Sequence, residues 1–242
     1  MEKDLKDFQL IELLDIKSLL KDYPVKEHED KEAKEVRNKA IAKIYDAIAK
    51  KLFNEYHIKK GDSTYDFLEI EFYYFDDKHP DVITYERNLS KGQWFFHDSG
   101  LDISFESFCP KDETEKSNNQ NVYYGGILIR SLIRNDKKIF TGPQKCTWEL
   151  FDTFNAFDPC PTRFPIIEKK SADQQVDIYK TKRWINIKDD RAKVRFDGLY
   201  DSYKENLHKD YRYYIKHNIW NNIKSSEYNA RPWNKEEGVK VS

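Results

Sequence analysis

The spacing of hydrophobic and polar positions divides the chain into helical ends and a strand-rich middle. Apolar residues scattered among charges predict a helix over residues 5–21, and a four-residue recurrence predicts a stronger amphipathic helix over residues 36–52. The turn at Gly61-Asp62-Ser63 follows that helix. Beyond this turn the pattern changes to the short, aromatic and β-branched runs that are typical of strands.

The runs predicted as strands are residues 65–75, 93–97, 101–105, 123–133, 178–187 and 193–196. The run over 123–133 is the most apolar, so it is expected to be a central strand. Further helices are predicted over residues 145–154 and 200–220. Because short strands follow one another without regular intervening helices, the pattern favours an α+β fold, with a mostly antiparallel central sheet flanked by helices.

The chain length fits one domain with added ends, since 242 residues is an ordinary size for a single domain. We expect an N-terminal helical extension over residues 1–35, a single domain over 36–220 and a polar C-terminal tail over 221–242. Aromatic residues make up 15% of the chain, which predicts a core built largely from rings.

Charge and cysteine content narrow the class of protein. Charged residues are 35% of the chain but the net charge is only -1, so any basic surface for nucleic acid must be local. The three cysteines, Cys109, Cys146 and Cys160, do not suggest a disulfide framework or a zinc site. The chain has no apolar run of about 20 residues and no signal-peptide core near Met1, which predicts a cytoplasmic protein without a membrane partner.

Two acids and a tyrosine are predicted to share one face of the strand over 65–75. Alternate residues of a strand point to the same side, so Glu69, Glu71 and Tyr73 should face together. A solvated sheet edge would explain the same pattern. Arg130 lies in the apolar strand over 123–133, where burial is costly unless an acid is nearby, and a structural salt bridge would account for it.

Two further features have both a chemical and a plain structural interpretation. The turn Gly142-Pro143-Gln144-Lys145 leads into a helix, where backbone N–H groups suit a phosphate, although such turns also serve simply as helix caps. His97 beside Asp98 could form an acid–base pair, although an exposed strand end is the simpler interpretation.

Taken in order, these segments resemble the alkyladenine (3-methyladenine) DNA glycosylase family over about residues 45–197. Leu-Glu-Ile-Glu-Phe-Tyr at 68–73 is similar to the family's Val-Glu-Thr-Glu-Ala-Tyr strand, and Ile-Leu-Ile-Arg-Ser at 127–131 to its Val-Leu-Leu-Arg-Ala strand. The segments at 92–104, 142–145, 182–187 and 193–196 match further family patterns in the same order.

The resemblance implies roles for individual residues. Glu71 would be the general base that activates water and stabilises the positive charge developing on the sugar, and Arg130 would place that water. The base pocket would contain Tyr73, His79, Phe96 and Asp102. DNA contacts would come from Gly142, Lys145, Arg183 and Lys193, within a basic face that also includes Lys182, Arg191 and Arg195.

The function implied is that of a monofunctional DNA N-glycosylase, which flips and hydrolytically releases alkylated or deaminated purines in base excision repair. Its partner would be damaged double-stranded DNA, it would need no metal or organic cofactor, and it would act as a monomer. The chain departs from the family at Ser99, where the family wedges a tyrosine into the DNA, and in its near-zero net charge.

These departures keep alternatives open. One is a catalytically inactive glycosylase-fold protein that binds a nucleobase or nucleic acid, and another is an interaction protein that keeps only the fold. An open cavity beside Glu71, Arg130 and Tyr73 would favour the enzyme or the binding protein, and a filled one the interaction protein.

Overall fold

Antiparallel strands form the centre of the fold. The computed structural model describes residues 4–23, 31–110, 121–152, 164–183, 185, 187, 189–216 and 238–241. The strands are β1 Tyr56–Lys60, β2 Ser63–Asp76, β3 Trp94–His97, β4 Gly100–Ser104, β5 Tyr123–Arg134, β6 Ile139–Thr141, β7 Ile166–Lys169, β8 Ile178–Thr181, β9 Arg212–Ile215 and β10 Val239–Lys240. The α-helices are α1 Leu10–Leu13, α2 Ile16–Leu19, α3 Lys31–Asn54, α4 Pro143–Leu150, α5 Asp189–Arg195 and α6 Tyr200–Leu207, preceded by a 3-10 turn over Leu5–Asp7.

Strands β2 and β5 pair in the interior of one sheet, whose strand order is β10-β8-β9-β2-β5-β4-β3. Strand β1 pairs with β2 and β7, and β6 pairs with β5. All the strand pairs of the described chain are antiparallel. The α+β prediction with a mostly antiparallel sheet is therefore confirmed, as is the central position of the strand predicted over 123–133.

Helix α3 covers one face of the sheet. Leu68, Ile70, Phe72 and Tyr74 of β2 are buried in the core on this side. The ring of Tyr45, from α3, stacks on Phe72 with centroids 4.3 Å apart. Glu69, Glu71 and Tyr73 alternate with these residues and therefore face the other side.

The N-terminal segment is broken into short helices, where a single helix over 5–21 was predicted. Gln9 and Glu12 form a capping box at the start of α1, and the Asp15 side chain accepts a hydrogen bond from the Ser18 N–H at the start of α2. Each cap begins a new helix, which ends the previous one. Leu13 and other residues of this segment join the same hydrophobic core as the sheet, and α3 runs across the predicted boundary at residue 36.

The C-terminal predictions need correction. Residues 193–196 were predicted as a strand but belong to helix α5 and the residue after it, and the helix predicted over 200–220 ends at Leu207. Strand β9 follows and lies between β8 and β2. The sequence Arg-Tyr-Tyr-Ile suits a strand once it has a sheet edge to pair with, which periodicity alone does not reveal. Strand β10 lies within the segment predicted as a polar tail, and pairs with β8.

None of the described helices is both long enough and apolar enough to cross a bilayer. Cys109 and Cys146 are buried free thiols, and Cys160 lies outside the described residues.

Candidate functional site

Glu69 and Glu71 lie in the interior, on the face of β2 that is opposite to α3. Both glutamates are buried, and Glu71 has no exposed surface. The interpretation of this face as a solvated sheet edge is therefore wrong. A buried carboxylate needs compensating charge or hydrogen bonds, and the neighbouring strands provide both.

Arg130 connects the two glutamates, as expected for an arginine in an apolar strand. Its Nε donates to Glu69 Oε1 at 3.0 Å, and its Nη1 donates to Glu71 Oε2 at 3.1 Å. Ser131 also donates to Glu69, at 2.9 Å. The contact is possible because β2 and β5 are antiparallel neighbours.

Arg212 is a second cation in this cluster, and sequence reasoning missed it. It comes from β9, donates from its Nε to Glu69 Oε1, and has the same nitrogen 3.9 Å from Glu71 Oε1. Two buried carboxylates need about two cations to balance them. That requirement was the available signal, but residue 212 lay in a segment predicted as helix.

Tyr73 links the charge cluster to a cavity. Its hydroxyl donates to Glu71 Oε2 at 2.7 Å, and its ring contacts the Arg183 guanidinium, 4.7 Å from the ring centroid. Burial raises the pKa of Tyr73 above its ordinary value, and the negative charge of Glu71 raises it further. The phenol therefore stays protonated and acts as a donor to Glu71.

The cavity has a volume of about 310 Å³ and a mixed lining. Its aliphatic wall is formed by Ile83, Leu128, Ile185 and Ile187. Its aromatic, polar and charged wall is formed by Tyr73, Tyr85, Arg87, His97, Asp98, Ser99, Asp102 and Arg195. Glu71 is not part of the wall, and Tyr73 is the lining residue that hydrogen-bonds to it.

Asp102, which the resemblance assigns to the base pocket, lines this cavity and contacts two partners there. Its Oδ2 is 2.7 Å from Arg87 Nη2, and its Oδ1 is 3.0 Å from His97 Nε2. The side chain of His97 is only 6% exposed, so the interpretation of this histidine as an exposed strand end is wrong. The hairpin of β3 and β4 turns His97 towards Asp102 and away from its sequence neighbour Asp98.

His79 and Phe96 lie outside the cavity, contrary to the prediction. His79 stacks on Tyr74, on the α3 side of the sheet, and its Nδ1 is 2.9 Å from Asn38 Oδ1. Phe96 is 47% exposed and its ring packs edge-on against Phe151. Phe96 alternates with Phe95 and His97 along β3, so it faces away from Asp102.

Tyr85 and Arg87 are cavity residues that sequence reasoning also missed. They come from the connection between β2 and β3, which has no periodic pattern to mark it. The Tyr85 hydroxyl donates to Asp98 Oδ1 and lies 3.1 Å from Ser99 Oγ. Ser99 is thus part of the cavity rim.

The residues predicted to contact DNA differ in their exposure and in their place in the fold. Gly142 caps α4 with a φ of 100°, a value that favours glycine, and its N–H donates to Arg130 O at 2.8 Å. Lys145 and Lys193 are exposed. So is Arg195, which lines the cavity.

Arg183 does not lie on the surface, contrary to the prediction. Its side chain is fully buried and pairs with Asp81, through Nη1 at 2.6 Å and Nη2 at 3.0 Å. Burial lowers the pKa of Arg183, but the charge of Asp81 outweighs this and raises it overall. This arginine cannot reach a phosphate without unfolding its surroundings. Lys182 beside it is exposed, and the side chain of Arg191 lies outside the described residues.

In the described part of the chain, no group of three or more His, Cys, Asp or Glu side chains could hold a metal ion. Comparisons with family models, with curated proteins and with solved structures found no match for this chain.

Proposed function

We propose that the cavity binds a purine base, and that base binding is the function the geometry supports best. The observation that carries this proposal is the position of Tyr73, whose ring lines a cavity of about 310 Å³ beside polar side chains. Pockets for small molecules occupy roughly 300–1,000 Å³, so this one suits a ligand the size of a base.

The wall offers the two kinds of contact that a base needs. Tyr73 and Tyr85 provide aromatic surface for stacking, which contributes about 1–3 kcal/mol per base in single-strand binding proteins. Asp98, Ser99 and Asp102 provide polar atoms for the hydrogen-bonding edge of the ring. Aliphatic residues such as Leu128 complete the wall.

The burial and hydrogen bonding of Glu71 favour binding of a base without cleavage. A general base must reach the water that attacks the glycosidic carbon. Glu71 has no exposed surface, accepts hydrogen bonds from Tyr73 and Arg130, and does not line the cavity. In this arrangement the carboxylate supports the wall and does not contact the ligand.

Hydrolysis is the second candidate, and the connection from Tyr73 to Glu71 favours it. The residues matched to the family's base-stacking ring, general base and water-placing arginine are joined by hydrogen bonds of 2.7 and 3.1 Å. A side-chain rotation of Tyr73 would open Glu71 to the cavity. The protein would then act as a monofunctional glycosylase that releases alkylated or deaminated purines from duplex DNA.

One experiment tests both candidates. Duplexes with a single hypoxanthine or 3-methyladenine are incubated with the wild-type protein, and binding and base release are measured separately. Binding without release supports the first candidate. Release that Glu71→Gln abolishes while the variant still binds the duplex, and that Glu35→Gln retains, supports the second candidate. Glu35 is the control because it is an exposed carboxylate that forms an ion pair with Lys39. A protein that neither binds nor cleaves these duplexes, and does not bind the free bases, contradicts both.

A further inference from the structure

A second cavity, of about 400 Å³, lies on the face of the sheet opposite to the first cavity. The two cavities share no lining residue. Ile103 of β4 and Ile127 of β5 line the second cavity, whereas their sequence neighbours Asp102 and Leu128 line the first. Successive side chains of a strand point to opposite faces, so the sheet itself separates the two sites.

The wall of the second cavity is built from apolar side chains of distant segments. Its buried part includes Leu52 of α3, together with Ile103 and Ile127, and these three residues are at most 1% exposed. Ile11 of α1 and Ile166 of β7 also line the cavity but are 44% and 53% exposed, so they mark its mouth. A molecule that enters between α1 and β7 therefore meets aliphatic side chains at the buried end.

Polar groups contribute little to this wall. Within the described chain, no residue that lines the second cavity has a charged side chain. Trp94 Nε1 donates to Pro165 O at 3.0 Å, and Gln9 belongs to the capping box of α1. The Tyr56 hydroxyl is the remaining polar group among the lining side chains. A charged group inside the cavity would have no counter-charge there, which makes its burial costly.

The size and chemistry of the wall indicate the class of ligand. An apolar cavity lowers stability roughly in proportion to its unfilled volume, because the lining atoms lose dispersion contacts. A cavity of about 150 Å³ lined by Leu, Ile and Phe is already large enough to bind benzene. The second cavity is larger, so it can bury a hydrocarbon chain whose polar end stays in water at the mouth.

We propose that the second cavity binds an alkyl chain with an uncharged polar end, such as a fatty alcohol. The chain fills the space between α1, α3 and the sheet, and the absence of charge in the lining of the described chain favours an uncharged end over a carboxylate. This site is independent of the base cavity and of the function proposed for it.

Calorimetric titration of the wild-type protein with hexan-1-ol, octan-1-ol and octanoate tests the proposal. Each buried methylene should tighten binding about fourfold, so octan-1-ol should bind roughly tenfold or more tightly than hexan-1-ol. Octanoate has a charged end and should bind about tenfold more weakly than octan-1-ol. The proposal is overturned if octan-1-ol does not bind, if the two alcohols bind equally, or if octanoate binds as tightly as octan-1-ol.

Two variants at exposed positions locate the site. Ile166→Lys places a cation at the mouth of the second cavity, so the preference for octan-1-ol over octanoate should fall about threefold or more. Ser99→Lys is the matched control and should keep the full preference, because Ser99 is an exposed residue that lines the first cavity. A preference that Ile166→Lys leaves unchanged, or that Ser99→Lys alters instead, would place the alcohol elsewhere and overturn the proposal.

Discussion

Tyr73 donates its phenolic hydrogen to Glu71, two residues earlier on β2, over 2.7 Å. Residues two apart on a strand share a face, so this bond is local in sequence. It nevertheless joins two different environments. Glu71 is enclosed with Arg130 and Arg212, whereas the Tyr73 ring lines the cavity.

Tyr73→Phe removes the hydroxyl and keeps the aromatic ring, so it tests the contributions of the two groups separately. Loss of the hydroxyl leaves Glu71 with one donor fewer, so the free energy of unfolding should fall by about 1–2 kcal/mol, as measured by urea denaturation. Hypoxanthine affinity should change little because the ring remains, whereas Tyr73→Ala should weaken it more than tenfold. Tyr45→Phe is the control. That tyrosine is fully buried, but its hydroxyl has no hydrogen-bond partner among the described residues, so its loss should not destabilise the protein.

Glu71→Gln should destabilise the fold as well as remove a base. The substitution leaves Arg130 and Arg212 sharing one carboxylate, and breaking a buried ion pair costs about 3–5 kcal/mol. Glu69→Gln should cost at least as much, because Glu69 accepts hydrogen bonds from both arginines. Thermal and denaturant unfolding would measure the two effects.

A surface control sets the scale for these substitutions. Glu35→Gln should change stability by no more than about 0.5 kcal/mol, because its side chain is 62% exposed. If Glu71→Gln were as mild as Glu35→Gln, the buried charge cluster would not contribute to stability as described.

Acidification should weaken the fold through His79. Burial, and then the positive charges of Lys209, Arg183 and Arg37, hold the pKa of His79 well below its ordinary value. The unfolded chain takes up a proton near pH 6.5 and the folded chain does not. Stability from this group is therefore fully present above about pH 6.5, and falls by up to about 1.4 kcal/mol per pH unit below it.

Thermal unfolding at pH 7.5, 6.5 and 5.5 tests whether stability falls with decreasing pH. His79→Gln, which can still donate to Asn38, should flatten the dependence between pH 6.5 and 5.5. His57→Gln should leave it in place, because His57 is a strand residue that contacts Glu168 outside the core. A steeper dependence in the His79→Gln protein would contradict the assignment.

Duplex DNA binding, if present, should depend on exposed cations beside the cavity. Lys193 and Arg195 are exposed residues of α5, and Arg195 lines the cavity. Replacing both with Gln should lower the magnitude of the slope of log affinity against log salt by about 1–2, since each phosphate contact contributes about 0.9. Lys39→Gln, on α3, should leave the slope unchanged, and fluorescence anisotropy at several salt concentrations would measure all three proteins.

Local pattern was sufficient for the centre of the sheet. Alternation along residues 65–75 placed Glu69, Glu71 and Tyr73 on one face, because side-chain direction in a strand depends only on parity. The apolar run around Arg130 identified a central strand, and the cost of burying a lone arginine required an acid nearby. Both inferences depend on chemistry within a few residues, so they did not require knowledge of the pairing.

Which distant segments meet was decided only by the tertiary structure. The aromatic pattern beyond residue 200 suits a helix or a strand, and it is pairing with β2 that makes Arg212 part of the buried cluster. Arg183 and Lys193 look equally cationic in sequence, but Asp81 neutralises Arg183 in the interior. The turn between β3 and β4 brings His97 into contact with Asp102, whereas Asp98 is its neighbour in sequence. Which side chains are buried, and which residues they pair with, depends on contacts between segments that are far apart in sequence. The periodicity of the sequence carries no information about those contacts.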